Sequence, residues 1–549
     1  MRVDLARRLE GLGPANPPVT IATPEVRALR ADLEAAPFTL ASALDVWGDA
    51  AGQALHRGNR IPARRAVEAA RTADGLPAAA VLAALFVLGD PVDADDLGAA
   101  LPTLGLEGAA RLGLVEVDCV RVRPAVDLRP YGFIDAHGVG EWWIASDLGE
   151  LATGGALDED HVLGVGGASA TLSGLMISMP VASALDLGTG CGIQALHASR
   201  HADRVVATDI SARALAFAAL NAALNGITTI ELRLGSLFEP VAGERFDHIV
   251  SNPPFVITPR AEGVPAYEYR DAGLVGDALV EGVVADLADH LTPGGLAQLL
   301  GNWEHRAGEP GLERVAGWLD RAAARAVSGL DAWVVEREVQ DAALYAETWI
   351  RDGGTRAGTP ESEALMDAWL DDFAARGVDA VGFGYLTLRR PTSGTPTLRR
   401  LERLHGGLGH NPTGLGDHLQ ASLAAHDALA AVDDRALAGL ALVVAGDVTE
   451  ERHYWPGAED PTVMTLRQGA GFGREVPLDT GLAALVGACY GELAVGAIVD
   501  AVAQLTAVDA DALRAELLPR IRALVADGFL TLPSAVSDDG LAERPARDA

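Results

Sequence analysis

The strongest constraint on the fold is the alternation of short apolar runs with helical stretches between residues 182 and 388. Strands of a parallel sheet read as nearly continuous apolar runs, because helices cover both faces of the sheet. Strand–helix alternation therefore predicts an α/β fold with a doubly wound, Rossmann-like sheet of seven strands. The strand candidates are Ala182–Leu187, Arg204–Ile210, Ile230–Leu237, Phe246–Ser251, Leu296–Leu300, Trp333–Val339 and Val381–Leu388.

Two further modules are predicted to flank this sheet. The order helix, helix, helix, strand between Val81 and Arg123 is typical of a winged helix, with a wing continuing through Tyr131–Ile134 and Glu141–Ser146. A Pro-, Ser- and Thr-rich linker, Pro391–Pro396, precedes a second module of α+β, winged-helix-like character. The predicted divisions are an N-terminal module at 1–150, the central domain at 151–392, a C-terminal module at 400–535 and a flexible tail at 536–549.

Composition excludes several kinds of chemistry. No lysine occurs in the chain, which rules out a Schiff-base lysine and a P-loop lysine. The three cysteines are far apart in sequence, so neither a disulfide framework nor a CxxC metal site is expected, and no metal is predicted. No apolar run is long enough to cross a bilayer, so no membrane partner and a cytoplasmic location are expected.

A glycine-rich turn follows the first strand candidate, in the run Ala184-Leu-Asp186-Leu-Gly188-Thr-Gly190-Cys-Gly192. Glycines allow the backbone to turn tightly and to approach a ligand closely. The dinucleotide fingerprint would need a glycine where Ile193 stands. The Asp186 carboxylate can instead accept a hydrogen bond from an ammonium group, which methionine carries and a pyrophosphate does not. The pattern favours S-adenosylmethionine over a nicotinamide dinucleotide, with Asp186, Gly188 and Gly190 as cofactor contacts.

Two more cofactor contacts are predicted after the second and third strands. Asp209 ends the second strand about twenty residues after the glycine turn, where a carboxylate can accept from both ribose hydroxyls. Ser236 lies in the run Gly235-Ser236-Leu237-Phe238 after the third strand. In this architecture that loop covers the adenine, so we expect Ser236 to contact the base.

The run Ile249-Val250-Ser251-Asn252-Pro253-Pro254-Phe255 closes the fourth strand. The nitrogen of an amide or aryl amine is a poor nucleophile, because its lone pair is delocalised. The Asn252 side-chain oxygen and the Pro253 backbone oxygen can accept from a substrate NH₂ group, which localises and aims that pair. The prolines stiffen the turn, and Phe255 offers a flat face to a planar substrate. We predict that Asn252, Pro253 and Phe255 are catalytic, that Asn252 also borders the cofactor, and that Pro254 and Phe255 bind the substrate.

Together these motifs resemble the class I methyltransferases that carry an Asn-Pro-Pro-aromatic motif. Among them are the HemK-type release-factor glutamine methyltransferases and the ribosomal-RNA guanine-N2 and adenine-N6 methyltransferases. The resemblance covers about residues 160–305 and implies S-adenosylmethionine as cofactor and a planar nitrogen as the methyl acceptor. It also implies cofactor roles for Asp186, Gly188, Gly190, Asp209 and Ser236, and an amine-binding role for Asn252 and Pro253. Phe255 replaces the tyrosine typical of the glutamine enzymes and is closer to the guanine-N2 type.

Four hypotheses about the function stay open, and the weakest of them is the methylation of a small-molecule amine. The main one is a base of ribosomal RNA or another nucleic acid, and the alternative is a glutamine amide of a protein. A third is a catalytically silent protein that binds S-adenosylmethionine for regulation or assembly. Tyr267 and Arg270, which follow the Asn-Pro-Pro-Phe run, are predicted to contact the substrate. The two flanking modules favour a macromolecular substrate.

Charge bears on this choice in two directions. The net charge of −33 argues against an extended nucleic-acid surface, which needs clustered cations. Two basic clusters either bind phosphate or pair with the abundant carboxylates. They consist of His56, Arg57, Arg60, Arg64 and Arg65, and of Arg389, Arg390, Arg399, Arg400 and Arg403.

Overall fold

The computed structural model describes residues 23–73, 75–118, 120–154, 157–158, 160–261, 263–265, 270–271, 273–325 and 329–533. The chain divides into two compact units, of which the first ends at His405 and the second begins at Gly406. The predicted substrate residue Tyr267 and the predicted tail at 536–549 lie outside the described residues. Within the described ranges, no helix combines the length and apolar character that a membrane span requires.

The first unit begins with a mainly helical module. Its helices are α1 (Pro24–Ala35), α2 (Leu40–His56), α3 (Ile61–Ala69), α4 (Ala78–Leu82, continued by a π-helical turn at Ala83–Val87), α5 (Ala94–Ala100), α6 (Gly105–Arg111) and α7 (Glu150–Thr153). Its strands are β1 (Val92–Asp93), β2 (Val115–Asp118), β3 (Arg121–Pro124), β4 (Asp127–Asp135) and β5 (Gly138–Ser146). Buried leucines and Phe86 of the α4 stretch form the centre of this module's core.

The expectation that Tyr131–Ile134 and Glu141–Ser146 continue a wing of the N-terminal sheet is wrong. The antiparallel sheet of this module contains only β1, β3 and β2, and the strands β4 and β5 pair with each other as a separate two-stranded hairpin. The physical reason is that backbone N–H and C=O groups of β5 form hydrogen bonds with a neighbouring helix of the central domain. Those contacts are described below.

The central domain alternates strands and helices as expected. Its helices are α8 (Gly167–Leu175), α9 (Ile193–Ala198), α10 (Ala212–Leu224), α11 (Ala278–His290), α12 (Gly311–Arg325), α13 (Ala342–Asp352) and α14 (Pro360–Arg376). Its strands are β6 (Val181–Leu187), β7 (Ala202–Asp209), β8 (Ile230–Leu234), β9 (Phe246–Ser251), β10 (Leu291–Arg306), β11 (Asp331–Asp341), β12 (Val378–Arg389) and β13 (Arg399–Arg403). Side-chain caps start several helices, as where Ser211 accepts from Ala214 N at the start of α10.

These strands form one sheet in the order β13-β11-β12-β10-β9-β6-β7-β8. The five strands from β10 to β8 run parallel, whereas β12 is antiparallel to both of its neighbours. Parallel strands place their carboxyl ends at one edge, and chain order reverses next to β6, which is where open α/β sheets bind ligands. The architecture therefore locates a binding site at the ends of β6, β7, β8 and β9.

The predicted count of seven strands is wrong, because the sheet has eight. All seven strand candidates are strands, and β13, which the sequence placed beyond a linker, adds to the edge beside β11. Buried Asp331 accepts from the backbone N–H groups of Thr397 and Leu398, and Glu336 accepts from Arg403. These polar contacts attach a segment whose sequence carries no apolar strand signal.

Asn221 of α10 joins the N-terminal hairpin to the central domain. Its side chain is fully buried, accepts from Ala145 N at 2.7 Å and donates to Ala145 O at 2.9 Å. It also donates to Cys191 O at 2.8 Å, within the glycine-rich turn. Asn225 makes the same pair of bonds with the backbone of Trp143. Two asparagines thus take the place of a neighbouring strand beside β5, which explains why β5 lies outside the sheet of β1, β3 and β2.

The second unit is α+β. Its helices are α15 (Gly416–Ala430), α16 (Asp434–Ala438), α17 (Thr480–Gly487), α18 (Val495–Thr506) and α19 (Ala510–Ala526). Its strands are β14 (Val443–Val444), β15 (Val448–His453), β16 (Val463–Gln468), β17 (Glu475–Leu478) and β18 (Leu530–Thr531). The expected order of three helices and a strand is present, and β18 pairs with β14 around a separate apolar core.

We expect Asn221→Ala to lower the free energy of unfolding of the first unit by about 2–3 kcal/mol, since it leaves two buried carbonyls and one buried N–H without partners. Chemical denaturation followed by tryptophan fluorescence measures this. Gln340→Ala serves as the control, because the Gln340 amide bonds only the exposed Glu338 side chain, and a change within about 0.5 kcal/mol is expected. Equal losses for the two variants would contradict the role of Asn221.

Candidate active site

The candidate site lies where β6 and β9 end side by side. Asp186 pairs with Val250 across the two parallel strands, so the residues that follow each strand leave the sheet at the same level. The Ser251 hydroxyl donates to Leu187 O at 2.7 Å and fixes the two strand ends to each other. The glycine turn and the Asn-Pro-Pro-Phe run are thereby brought together.

Asp186 is fully buried and only partly satisfied. Its Oδ2 accepts from the Thr189 hydroxyl at 2.5 Å and from Ala195 N at 2.9 Å, near the start of α9. Its Oδ1 is buried and has no hydrogen-bond partner among the described residues. Burial in low dielectric, with the nearby Asp209 carboxylate, raises the pKa of Asp186 to about 7. A buried acceptor of this kind suits the ammonium group of a methionine moiety.

Gly188 and Gly190 form an open cradle beside Asp186. Both adopt left-handed backbone conformations, with φ of 75° and 54°, and a Cβ atom added at either would meet nothing within 4 Å. Gly192 differs, since a Cβ there would lie 3.0 Å from the Ala218 backbone on α10. The first two glycines therefore open space for a ligand, whereas the third permits close packing of the turn against α10.

Asp209 closes the same turn from the end of β7. Its Oδ2 accepts from Gly190 N and its Oδ1 accepts from Ser211 N, both at 2.9 Å. Burial raises the pKa of Asp209, and these backbone donors oppose that rise. Each carboxylate oxygen keeps a second lone pair, so both remain able to accept from ribose hydroxyls.

The loop after β8 carries Ser236 in an exposed position. The next residue, Leu237, has a positive φ of 46°, which is rare for a residue with a side chain. Such strain concentrates at ligand-binding loops. Phe238 is buried and its ring stacks on His290 at 4.4 Å, which anchors the loop at the position expected to cover adenine.

Asn252 presents a second buried oxygen without a partner. Its Oδ1 makes no hydrogen bond within the described part of the chain, although the atom is excluded from solvent. Leaving a buried amide oxygen unpaired costs about 1–3 kcal/mol, and a ligand that donates to Asn252 Oδ1 would remove this cost. Pro253 is buried and Pro254 half-buried, consistent with a stiff turn.

The segment that follows Asn252, from Phe255 to Ile257, is held in place by contacts that include β12 and α13. The backbone of Phe255 bridges Asp271, and Val256 N donates to Arg270 O at 2.9 Å. The Phe255 ring lies 5.6 Å from the Phe383 ring of β12. Ile257 N donates to the Tyr345 hydroxyl of α13 at 3.0 Å.

Arg270 occupies an internal position. Its side chain is buried, and its guanidinium donates to Trp349 O at 2.8 Å and to Asp352 at 3.1 Å. The structure thus places Arg270 against α13, and its predicted contact with substrate stays a prediction. Tyr345 and Asn302 border the same segment and were missed from the sequence, since neither lies in a recognisable motif.

A cavity of about 340 Å³ lies elsewhere in the first unit. It is lined by residues of the N-terminal module, by the segment around His161 and by one face of α10, including Arg213 and Phe217. None of the predicted catalytic or cofactor residues lines it. Over the described ranges, no group of three or more His, Cys, Asp or Glu side chains is placed to hold a metal.

A strand order reversing at β6, a glycine turn with an acidic residue and an Asn-Pro-Pro-Phe end of β9 define a class I methyltransferase domain. Residues 167–266 match the family described as "Methyltransferase small domain". Residues 35–125 match a family described as "Domain of unknown function (DUF7059)". The predicted resemblance to HemK-type methyltransferases and the prediction of S-adenosylmethionine as cofactor are confirmed for this domain.

Curated relatives agree with the domain match. The release factor glutamine methyltransferase of Xylella fastidiosa (strain Temecula1) is 37% identical over 161 residues, which cover 28% of this chain and 58% of the relative. The ribosomal protein uL3 glutamine methyltransferase of Bradyrhizobium diazoefficiens is 35% identical over 179 residues, which cover 30% and 54%. The chain spans little more than half the length of these curated relatives.

Two solved structures resemble this chain remotely. The T. thermophilus 16S rRNA N2 G1207 methyltransferase is 20% identical with a TM-score of 0.25, covering 41% of this chain and 60% of that chain. The ribosomal protein L11 methylase of Lactobacillus delbrueckii subsp. bulgaricus is 20% identical with a TM-score of 0.23, covering 41% and 77%.

We expect the affinity for S-adenosylhomocysteine, which keeps the methionine ammonium, to rise with pH up to about 7 and then level off. An ammonium at Asp186 favours the ionised carboxylate, so below its pKa binding must release a proton and weakens by as much as about tenfold per pH unit. Isothermal titration calorimetry in buffers of different ionisation enthalpy measures both effects. Asp186→Asn should remove the pH dependence. Asp209→Asn should weaken binding but retain the pH dependence. A flat profile for the unaltered chain would contradict this role.

Proposed function

We propose that this chain is an S-adenosylmethionine-dependent N-methyltransferase whose acceptor is the side-chain amide of a glutamine in a protein of the translation machinery. The observation that carries the proposal is the buried Oδ1 of Asn252 at the end of β9, which has no hydrogen-bond partner among the residues that the structure describes. The names of the relatives, which act on a release factor or on ribosomal protein uL3, support a protein amide over a nucleic-acid base. Phe255 in place of tyrosine is the feature that fits this substrate least well.

The chain's own residues account for cofactor binding and substrate orientation. Asp186, Asp209 and the Gly188–Gly190 cradle would hold S-adenosylmethionine, which supplies an electrophilic methyl group. The Asn252 oxygen accepts one hydrogen bond from the acceptor NH₂, and the Pro253 carbonyl is the proposed second acceptor. Two acceptors on one NH₂ fix its plane and draw the lone pair out of conjugation. The nitrogen gains one methyl group and gives up one proton, for which water is a sufficient acceptor.

The basic clusters weaken the nucleic-acid hypothesis. Carboxylates pair with most of the cluster beside the linker, and Arg390 donates to a backbone carbonyl. In the N-terminal cluster, Arg60 and Arg64 both pair with Asp90. Arginines that already neutralise carboxylates offer little attraction to phosphate. The surface for a ribosomal-RNA substrate, which the sequence suggested as the first choice, therefore lacks support.

The two flanking modules are proposed to bind the protein substrate. From α4 to β3 the elements follow the order helix, strand, helix, helix, strand, strand. This order supports a winged-helix-like N-terminal module. In the second unit, the order α17, α18, α19 and β18 supports a related arrangement. Both modules are proposed to bind protein. A substrate in the translation machinery makes the cytoplasm the proposed location.

Methyl transfer from labelled S-adenosylmethionine to recombinant release factor, ribosomal protein uL3 and ribosomal RNA tests the proposed function. We expect label in a protein, recovered as methylglutamine after enzymatic digestion and unaffected by nuclease. Label in RNA would show that the acceptor is a base. Cofactor binding without labelling of any of the three would favour the catalytically silent hypothesis.

We expect Asn252→Ala to lower kcat by about 100-fold or more, since it removes the oxygen that orients the acceptor amine. Affinity for S-adenosylhomocysteine should change far less, because Asp186 and the glycine cradle remain. Thr228→Ala is the control and should retain full activity, because Thr228 is exposed and lies just before β8, at the edge of the sheet opposite the strand ends that form the site. An Asn252→Ala enzyme as active as the control would contradict the assignment.

A further inference from the structure

The Tyr345 hydroxyl links the substrate loop to β10. Tyr345 lies on α13 with a buried side chain, and its ring is surrounded by Trp349, Trp369 and Phe373 at 6.0–6.1 Å between ring centres. Its oxygen lies 3.0 Å from Ile257 N and 2.6 Å from Asn302 Nδ2. The aromatic neighbours fix the ring, so the hydroxyl is a rigid point between the two partners.

This hydroxyl holds the back of the Asn-Pro-Pro-Phe loop. The prolines stiffen the loop from Asn252 to Pro254, and Tyr345 fixes it again at Ile257. Phe255 lies between these two fixed points with its ring against Phe383. The position of the proposed stacking surface therefore depends on a residue almost a hundred positions away in the sequence.

Asn302 is the other hydrogen-bond partner of the Tyr345 hydroxyl, and only one end of its side-chain amide takes part in this bond. Its side chain is only 1% exposed, and its Oδ1 has no hydrogen-bond partner among the residues described. If the Tyr345 hydroxyl accepts from both Ile257 and Asn302, its own hydrogen has no acceptor among the residues that the structure describes. Exchanging the oxygen and nitrogen of the Asn302 amide allows Tyr345 to donate to Asn302 while it accepts from Ile257. The free, buried end of Asn302 is then its NH₂ group.

The position of Asn302 places it beside the proposed acceptor site. It lies on β10, which pairs in parallel with β9 through Leu299 and Ser251, so both chains continue toward the same edge. Asn302 is the β10 partner of Phe383 on the neighbouring strand β12, and the Phe383 ring contacts the Phe255 ring. A buried amide on one strand and Asn252 on its neighbour thus flank the same loop.

We propose that Tyr345 holds Asn302 as a second amide-recognition group, whose NH₂ donates to the carbonyl oxygen of the acceptor glutamine while Asn252 accepts from its nitrogen. This inference rests on the proposed function and specifies how that site recognises its substrate. A carboxamide presents an acceptor oxygen and a donor nitrogen on one carbon, and the two asparagines match this pair. A carboxylate side chain fails, because it offers no hydrogen to Asn252.

Binding of small probes to the full-length chain loaded with S-adenosylhomocysteine tests this recognition. The probes are N-acetylglutamine amide and the matching N-acetylglutamate amide, with dissociation constants measured by ligand-observed NMR. We expect the chain to favour the glutamine probe. Asn302→Leu and Asn302→Asp should each weaken glutamine-probe binding by about tenfold, since each removes the donor. Tyr345→Phe should also weaken it, because Asn302 loses its anchor.

Gln298→Met supplies the matched control. Gln298 is a buried amide on the same strand, but both of its ends are used, by Ile177 N and Leu175 O. Its replacement can lower stability without changing the preference for the glutamine probe. Affinity for S-adenosylhomocysteine should stay within about twofold in every folded Asn302 and Tyr345 variant, because none of the cofactor contacts is altered.

Three results would overturn the inference. Unchanged probe binding in both Asn302 variants, with loss in Asn252→Ala, would show that Asn302 only packs, and the proposed function would stand. Binding of adenosine or guanosine in place of the glutamine probe would overturn both proposals. A wild-type chain that binds no probe would remove the small-amide site assigned to Asn302, whereas the methyl-transfer assay would still decide the proposed function.

Discussion

The structure depends on the parallel pairing of β6 with β9. This pairing brings the glycine turn and the Asn-Pro-Pro-Phe loop to one edge of the sheet. Two buried oxygens, on Asp186 and Asn252, have no hydrogen-bond partner there among the residues that the structure describes. Unpaired buried acceptors destabilise a fold, and proteins retain them where a ligand supplies the missing donor. An ammonium at the first and an acceptor NH₂ at the second would satisfy both. Under the proposed function, cofactor affinity and substrate orientation would therefore have the same physical origin.

The surrounding elements keep these strand ends in place through polar contacts to the backbone. Asn221 binds the hairpin of the N-terminal module and the glycine turn at once, so that module forms part of the same unit. On the opposite side, Tyr345 fixes the loop after Asn252. Such contacts are specific in geometry, whereas the apolar packing around them tolerates change more readily. The site is therefore held from both halves of the sheet.

The sequence predicted the parallel strands well, since each is a buried apolar run that leads into a glycine turn or a helix. It failed at β13, where the charged run Arg399–Arg403 pairs with β11. Buried Asp331 accepts from the backbone just before this run, and Glu336 accepts from Arg403. It also failed at the β4–β5 hairpin, which binds asparagines of α10 and not the small sheet beside it. Both errors arise where long-range polar contacts override local pattern.

The sequence by itself determined the class of domain and the cofactor, because these depend on residue types at fixed spacing, such as Asp186 before its glycines. The proposed nitrogen chemistry has the same kind of basis, in Asn252 before two prolines. Only the tertiary structure decided which arginines are already paired, where Arg270 lies and which distant residues border the loop. Tyr345 and Asn302 meet because α13 packs on the sheet next to β10, and no local motif encodes that meeting. Spacing along the chain fixes local chemistry, whereas contacts across the fold decide which groups remain free to bind.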